Sequence, residues 1–386
     1  MKNILRFCML IFCGAAWGAP ANYSFGGLFG DAKYLDDVAN AWLGNSGYIS
    51  PSSDVASYVH GTRTTDVAEF SDAISTLGFN STSVALFEIN NHLDQSFSVI
   101  GMPLLARRDE CVAGHISCDD TRRLVLDGHV FGSFATYDSG MNSAFKTRNT
   151  GVTINAKMFV TDGLLFGAAY TRTMTDTHDT RVYSDAVGNS LTLFGEYLGQ
   201  NGLFINFGLN AGHTSWAIEK IISLVNDNGT YDTNFFAGQF NTGIRLARNN
   251  ISIVPQISIR YSRIMTDAYT DSVLQSFDKW WYNMLTAGAG IDIGYDFIGS
   301  DFVIRPAIHI GGGYDVISNG TPGVHVNLNG GNSYTIPIDA PHRTMLDGAV
   351  GVTFFSPYFN AGINYRIDAR SEYMAHTVSI LLKIGF

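Results

Sequence analysis

Few residues in this sequence are spaced for bond-making chemistry. Cys111 and Cys118 enclose a short polar stretch and, in an exported chain, would close a local disulfide loop worth about 2 kcal/mol; two free thiols are the plainer alternative. His115 between them is too little for a metal site. His213, Ser215 and Asp176 are hydrolase-type side chains, but they fall around the ends of separate extended segments, as chance alone would place them. Gly311-Gly312-Gly313 and Gly330-Gly331 lack the strand-to-helix context that cradles phosphate. What remains is a scatter of ionisable residues set one at a time into alternating apolar segments: Glu196, Arg245, Arg260, Arg305, His309, Arg366 and Lys383. Their chemistry is solvation. A charge at mid-membrane on a lipid face costs about 2–4 kcal/mol, so such residues are expected to point inward and line a water-filled pore.

The elements that would hold them are strands. In Tyr373 to Phe386, Met374, His376, Val378, Ile380, Leu382, Ile384 and Phe386 share one face, and Tyr373, Ala375, Thr377, Ser379, Leu381, Lys383 and Gly385 share the other. A period of two over this length exceeds the usual strand and suits a tilted membrane crossing. Residues 203–211, 251–260, 302–310 and 363–368 alternate in the same way. Twelve segments read as strands: 125–138, 150–161, 164–175, 189–199, 202–217, 231–247, 250–265, 278–297, 301–316, 343–355, 359–369 and 373–386. Tight turns such as Asp162-Gly163, Gln200-Asn201 and Ser356-Pro357-Tyr358 alternate with longer connections at 139–149, 176–188, 218–230, 266–277 and 317–342. The pattern predicts an all-β fold, a 12-stranded antiparallel transmembrane outer-membrane β-barrel. Both of its ends lie on the short-turn side, and its last strand pairs with its first. Trp280, Trp281, Tyr282, Tyr295, Tyr314, Tyr358 and Tyr373 lie near strand ends, where rings form interface girdles.

Composition agrees. Among 386 residues there are 41 Gly, 18 Tyr and 26 Phe, while charged residues make up 15%. A net charge of −10 with no Lys/Arg cluster argues against nucleic acid as a partner. Met1 to Gly18 carries Lys2 and Arg6, an apolar run and small residues, and reads as a signal peptide (1–18) cleaved after Gly18. Residues 19–82 form a Gly/Ser/Asp-rich N-terminal segment, passenger-like or periplasmic. In Ser83 to Phe97, Leu86, Ile89, Leu93 and Phe97 make a helical stripe, so 83–124 reads as a pore or linker helix followed by the Cys loop, and 125–386 as the barrel. The helix is expected inside or below the pore.

From about residue 84 onward the chain resembles the C-terminal translocator domain of autotransporters (type V secretion). The likeness is carried by the helix before the barrel, by Asp162 to Thr173 (DGLLFGAAYTRT), by Ser190 to Gly212, and by the ending NYRIDARSEYMAHTVSILLKIGF. It implies a twelve-stranded barrel with a helix through its pore. It also implies an assembly signal at Ile384 and Phe386, read by the barrel assembly machinery with periplasmic chaperones. Phe87-Glu88-Ile89-Asn90-Asn91 resembles the linker of members that cut their passenger between adjacent asparagines. Carried over, Asn90 would cyclise by attack of its amide nitrogen on its own backbone carbonyl, the cut would precede Asn91, and an inward acid such as Glu196 would assist. The following residues depart from that motif. A pair of polar residues on a pore-facing helix is the plainer reading.

The function expected is a barrel that anchors, and exports, its own short N-terminal segment, as a monomer in the bacterial outer membrane with lipid as its solvent and no cofactor or metal. The alternative is an outer-membrane pore or a surface adhesion protein binding an unknown surface or host ligand through external loops, above all 318–342.

Overall fold

The computed structural model describes residues 73, 76–77, 81–100, 124–137, 144–179, 181–222, 225–300, 302–329, 331–338, 340–356 and 359–385. The expected leader, the Cys111/Cys118 pair and Phe386 lie outside them, and of Ile384 only the backbone strand is described. Among the described residues, helix α1 (Ser81–Phe97) continues into a single tight turn at Ser98–Ile100, and Ala73, Thr76 and Leu77 before it are also helical. The strands follow as β1 (Leu124–Tyr137), β2 (Phe145–Thr161), β3 (Leu164–His178), β4 (Val182–Leu198), β5 (Leu203–Ile222) and β6 (Val225–Ile244). Then come β7 (Leu246–Arg248), β8 (Ile251–Thr266), β9 (Tyr269–Thr270), β10 (Gln275–Phe277), β11 (Trp280–Tyr295) and β12 (Phe297–Ile298). The last six are β13 (Val303–Gly320), β14 (Gly323–Leu328), β15 (Ser333–Pro337), β16 (Thr344–Phe355), β17 (Phe359–Arg370) and β18 (Tyr373–Gly385).

Twelve of these, β1 to β6, β8, β11, β13, β16, β17 and β18, pair antiparallel with their neighbours into a closed wall. β18 closes it on β1, from Tyr137↔Tyr373 down to Val125↔Gly385. Closure leaves no lipid-facing edge, which is what a membrane-spanning sheet requires. Period-two alternation sorts the side chains. Val130, Ile154, Ile308, Ile310, Leu346 and Ile380 stand outward, each more than half exposed (51–64%), and form an apolar belt. Asp127, Ser133, Asn155, Thr171, Thr192, Glu196 and Asn210 are turned inward and buried.

Two sequence expectations change, besides the strands β9, β10, β14 and β15 that stand within the expected connections 266–277 and 317–342. Residues 176–188 and 218–230 were expected as long connections. Instead β3 and β4 run on to His178 and from Val182, and β5 and β6 run to Ile222 and from Val225. The reason is solvent. These extensions keep the alternation, but their outward positions (Asp176, Asp185, Glu219, Asp232) are polar because they stand above the hydrocarbon, so a strand in water reads like a loop. Second, of the expected girdle, Trp281, Tyr295 and Tyr314 face outward at 39%, 41% and 49% exposure, whereas Trp280, Tyr282 and Tyr373 turn inward and are buried. Packing at the pore mouth claims those three rings.

Glycine has a spatial role inside the wall. At Gly167 a Cβ would sit 2.3 Å from the Phe194 ring, and at Gly212 2.2 Å from the Phe235 ring. Each inward ring lies flat across a glycine of the next strand, leaving the lumen free for a helix. Gly167→Val is expected to cost about 1–3 kcal/mol by overpacking, read as a lower urea midpoint of the refolded barrel.

Candidate functional site: the lumen and its helix

α1 runs down the lumen, and its side chains mark the descent. Near its start, Phe87 stacks on Tyr373 (ring centroids 4.5 Å) and packs on Tyr137 (4.7 Å), at the mouth where the long connections lie. Glu88 accepts from Thr147 Oγ1 (2.6 Å) and Asn149 Nδ2 (3.1 Å). One turn lower, Asn91 Nδ2 donates to Ser133 Oγ (3.1 Å), and the His92 ring nitrogens meet Thr173 Oγ1 (2.9 Å) and Ser190 Oγ (2.7 Å). At the foot, Asn206 Nδ2 donates to the Ile100 carbonyl (3.1 Å). The apolar stripe Leu86, Ile89, Leu93 and Phe97 is buried, and so are the polar residues Glu88, Asn91, His92, Gln95 and Ser96. Desolvated polar groups are costly unless paired, so these bonds specify one seating of the helix.

The helix leans on β2 to β6 and leaves the opposite half of the lumen open. There a cavity of about 600 Å³ is bounded by α1 and by β8, β11, β13, β16 and β17. Its wall carries an ion network. Arg260 pairs with Asp94 of α1. Arg305 binds Asp296 through two nitrogens (2.6 and 2.8 Å). The two ring nitrogens of His309 face Asp292 (2.7 Å) and Asp347 (2.8 Å), and Arg366 reaches Asp368 (2.7 Å). Arg245 lines the same cavity. Lys383 is on the inward face of β18, level with Asp127 and Asn360. Glu196 is 2% exposed on the inward face of β4. Of the residues expected to line a pore, Arg245, Arg260, Arg305, His309 and Arg366 border this cavity, and Glu196 and Lys383 do not.

Toward the long-connection mouth the cavity shares Asp94, Arg260 and Met345 with a crevice of about 20 Å³ beside Asn90 and Asn91. Arg370 bolts this end, donating to Asp315 Oδ2 (2.6 Å) and to the His342 carbonyl. Asn90 and Asn91 lie within unbroken α-helix, and the Asn90 amide donates to Leu86 O (2.7 Å). Glu196 is not brought to them. It is opposite Asn206, at the level of Ile100, ten residues past Asn90 and so about 15 Å along the axis. The carboxylates that line the crevice are Asp94 and Asp368.

The hydrolase-type set does not assemble. His213 Nε2 faces both Ser215 (3.1 Å) and Asp232 (3.4 Å), while Nδ1 meets Asn234 (3.2 Å) on the outer wall. Asp176 belongs to β3, opposite Asp185 of β4, two strands away from β5. A general base needs its orienting acid on the other nitrogen, so the arrangement is not a triad.

Sequence reading missed Glu88, His92 and the lumenal acids. A usable signal existed for the acids: Asp292, Asp347 and Asp368 share strand parity with inward residues. It also missed a cluster on the external extension of β5 and β6. Lys220 Nζ is 3.2 Å from Asp227, 3.3 Å from Asp271 and 3.1 Å from Gln275 Oε1, all buried. Burial would lower the Lys220 pKa, but the two carboxylates outweigh it and raise it. Burial raises Asp227, which Lys220 and its hydrogen bonds bring below the ordinary range. Asp271 is pushed up to about 7, first by burial and then by Asp227, against the pull of Lys220. Because the folded state holds the Asp271 proton more tightly than the unfolded chain, its contribution is full below about pH 4 and is lost as pH rises toward 7. Amide exchange at Val273 to Phe277, corrected for intrinsic rates, is expected to quicken from pH 5 to 7.5, and Asp271→Asn to remove that slope.

A profile of the autotransporter beta-domain family matches residues 128–366, more than half of the chain. This chain belongs to the autotransporter β-domain family. Its barrel is an outer-membrane barrel, with the short turns periplasmic and the long connections outside. The autotransporter barrel is 25% identical over 272 residues to "Outer membrane protein A" of Rickettsia conorii, covering 63% of this chain and 13% of that protein. The protein of the same name from Rickettsia rickettsii is 26% identical over 271 residues, 63% of this chain and 12% of that one. The alignments thus span about an eighth of these curated relatives. Among solved structures, the fold is shared with the translocator domain of the autotransporter NalP from Neisseria meningitidis (TM-score 0.57, 12% identity, 75% of this chain and 97% of that one). It is shared too with the beta domain of the Bordetella autotransporter BrkA (TM-score 0.54, 13% identity, 68% and 100%).

Breaking the contact between helix and wall should be felt. Arg260→Ala is expected to lower the thermal midpoint of the barrel by stranding Asp94 in the lumen, and Asp94→Asn on that background to restore part of it; calorimetry in detergent reads both.

Proposed function

We propose that this autotransporter barrel anchors and exports its own N-terminal segment. The observation that supports this reading best is the course of α1. The helix descends from the external mouth to the periplasmic end, and Leu77, four residues before it, lies beside Tyr334 of β15 in the external sheet. A chain threaded in that direction has its upstream part on the far side of the membrane. The barrel is inserted by the assembly machinery, delivered by periplasmic chaperones and guided by the C-terminal signal at Ile384 and Phe386. No fuel-binding motif accompanies it. The polar, ion-paired lumen solvates a passing polypeptide, and α1 then seats as the plug. A cut between Asn90 and Asn91 belongs to this reading only as a later step, since it needs α1 to open locally.

The test is a peptide tag within residues 19–80. Protease added to intact cells is expected to remove the tag while leaving the barrel whole. A tag that stays protected until the outer membrane is broken would sink the reading, and would favour a pore with a periplasmic N-terminal segment.

A further inference from the structure

The external mouth carries a second sheet. β9, β10, β14 and β15 pair antiparallel in the order β15-β14-β10-β9, separate from the barrel wall. Its strands are only two to six residues long, so it depends on covering an apolar face. Val324, Val326, Leu328, Tyr334 and Ile336 are at most 5% exposed, so one face of the sheet is covered. Part of the cover is barrel. The rings of Trp216, Tyr231, Tyr269 and Phe277 stack at 5.7, 4.9 and 4.4 Å from the β5–β6 tip into the sheet. Below Phe277, the Lys220 ammonium binds Asp271 and Gln275, and Gln275 Nε2 donates to Tyr334 Oη (2.5 Å).

The rest of the cover includes the chain itself. Ala73 and Leu77 are wholly buried and Thr76 is 6% exposed, and the Tyr334 hydroxyl points at the Leu77 carbonyl (3.5 Å). Ala73 and Leu77 belong to the same apolar cluster as Val326, Leu328 and Ile336. They precede α1 by a few residues, where an emerging chain leaves the pore. The sheet that meets them is held by a buried ion cluster and an aromatic stack, which is the construction of a fixed surface more than of a mobile loop.

We propose that this external sheet is an exit platform: a docking surface for the stretch around Ala73 to Leu77 that holds the emerged segment on the barrel without the covalent link through α1. The proposal rests on the export reading for its orientation, but its physical content is a non-covalent contact that can be tested apart from export. The buried face of the sheet is apolar (Val324, Val326, Leu328, Ile336), and its Tyr334 hydroxyl donates to the Leu77 carbonyl, which suits an apolar occupant and not a charged ligand.

The experiment uses the full chain with an N-terminal tag and a site-specific protease sequence inserted between Gly78 and Phe79, refolded in detergent. After complete cleavage, confirmed on a denaturing gel, the tagged fragment is expected to co-elute with the barrel. Leu77→Asp on the fragment side and Ile336→Asp on the platform side are each expected to release it at least tenfold more, with the barrel still folded by its heat-modifiable mobility. Immediate release of the unmutated fragment overturns the platform, as does retention that neither substitution disturbs. Because the assay needs no cells, it stays distinct from export. Failure of protease to reach the same insert on intact cells would count against the export reading alone.

Discussion

Deletion of residues 81–97 is expected to turn a poorly conducting barrel into an open pore, with single-channel conductance in planar bilayers rising severalfold over the full chain. α1 with its side chains is about 10–12 Å across and occupies the half of the lumen lined by β2 to β6. With the helix seated, the free lumen is the cavity of about 600 Å³, which narrows at its external end to the crevice of about 20 Å³. Met345, Arg370 and Tyr373 line that narrow end, with Arg370 held by Asp315. Arg370→Ala should accordingly give a smaller rise than the deletion, because it loosens the bolt while the helix still fills its half. Equal conductance of full chain and deletion variant would mean that α1 does not plug the pore, and would remove the physical basis for reading it as a seated linker.

Ile308→Arg is expected to cost about 2–4 kcal/mol of barrel stability, while Ala349→Arg costs little. The two positions are near one another in paired strands, for Ile308 registers with Val350 and Ala307 with Gly351. They differ in face. Ile308 stands 51% exposed in the apolar belt, whereas Ala349 lines the lumenal cavity beside Asp347 and Asp292. A guanidinium at the first site must snorkel or thin the bilayer; at the second it meets water, and Asp292 and Asp347 offset His309 and Arg366, which face it from the neighbouring strands. Urea unfolding in phospholipid vesicles reads the difference, and comparable midpoints for the two variants would mean the faces have been assigned the wrong way round.

Much of this architecture is legible without coordinates because its governing periods are local. Leu203, Ile205, Phe207 and Leu209 against Phe204, Asn206 and Asn210 already state that the two faces of a strand meet different solvents, and the same holds at 302–310. The cost of a charge in hydrocarbon then places Arg260, Arg305, Arg366 and Lys383 inward by elimination. Strand ends were less legible. At Asp176 on β3 and Asp185 on β4 the outer solvent changes from lipid to water partway along each strand, so polarity there signals height above the bilayer and not a loop. The candidate linker was legible only in part: the helix and its stripe are local, but its distance from Glu196 is not.

What the sequence alone determined is the closed wall, its strand number, its two faces and the presence of a helix before it, since each follows from periodicity and from the energy of burying charge. What only the tertiary structure decided is which residues meet. Asp94 finds Arg260 across 166 positions, Leu77 finds Tyr334 across 257, and His309 falls between Asp292 and Asp347. Such pairings depend on how far each strand is offset as the wall closes, and on the side against which the helix settles. Both are set by the sum of contacts around the whole barrel, and no local stretch contains that sum.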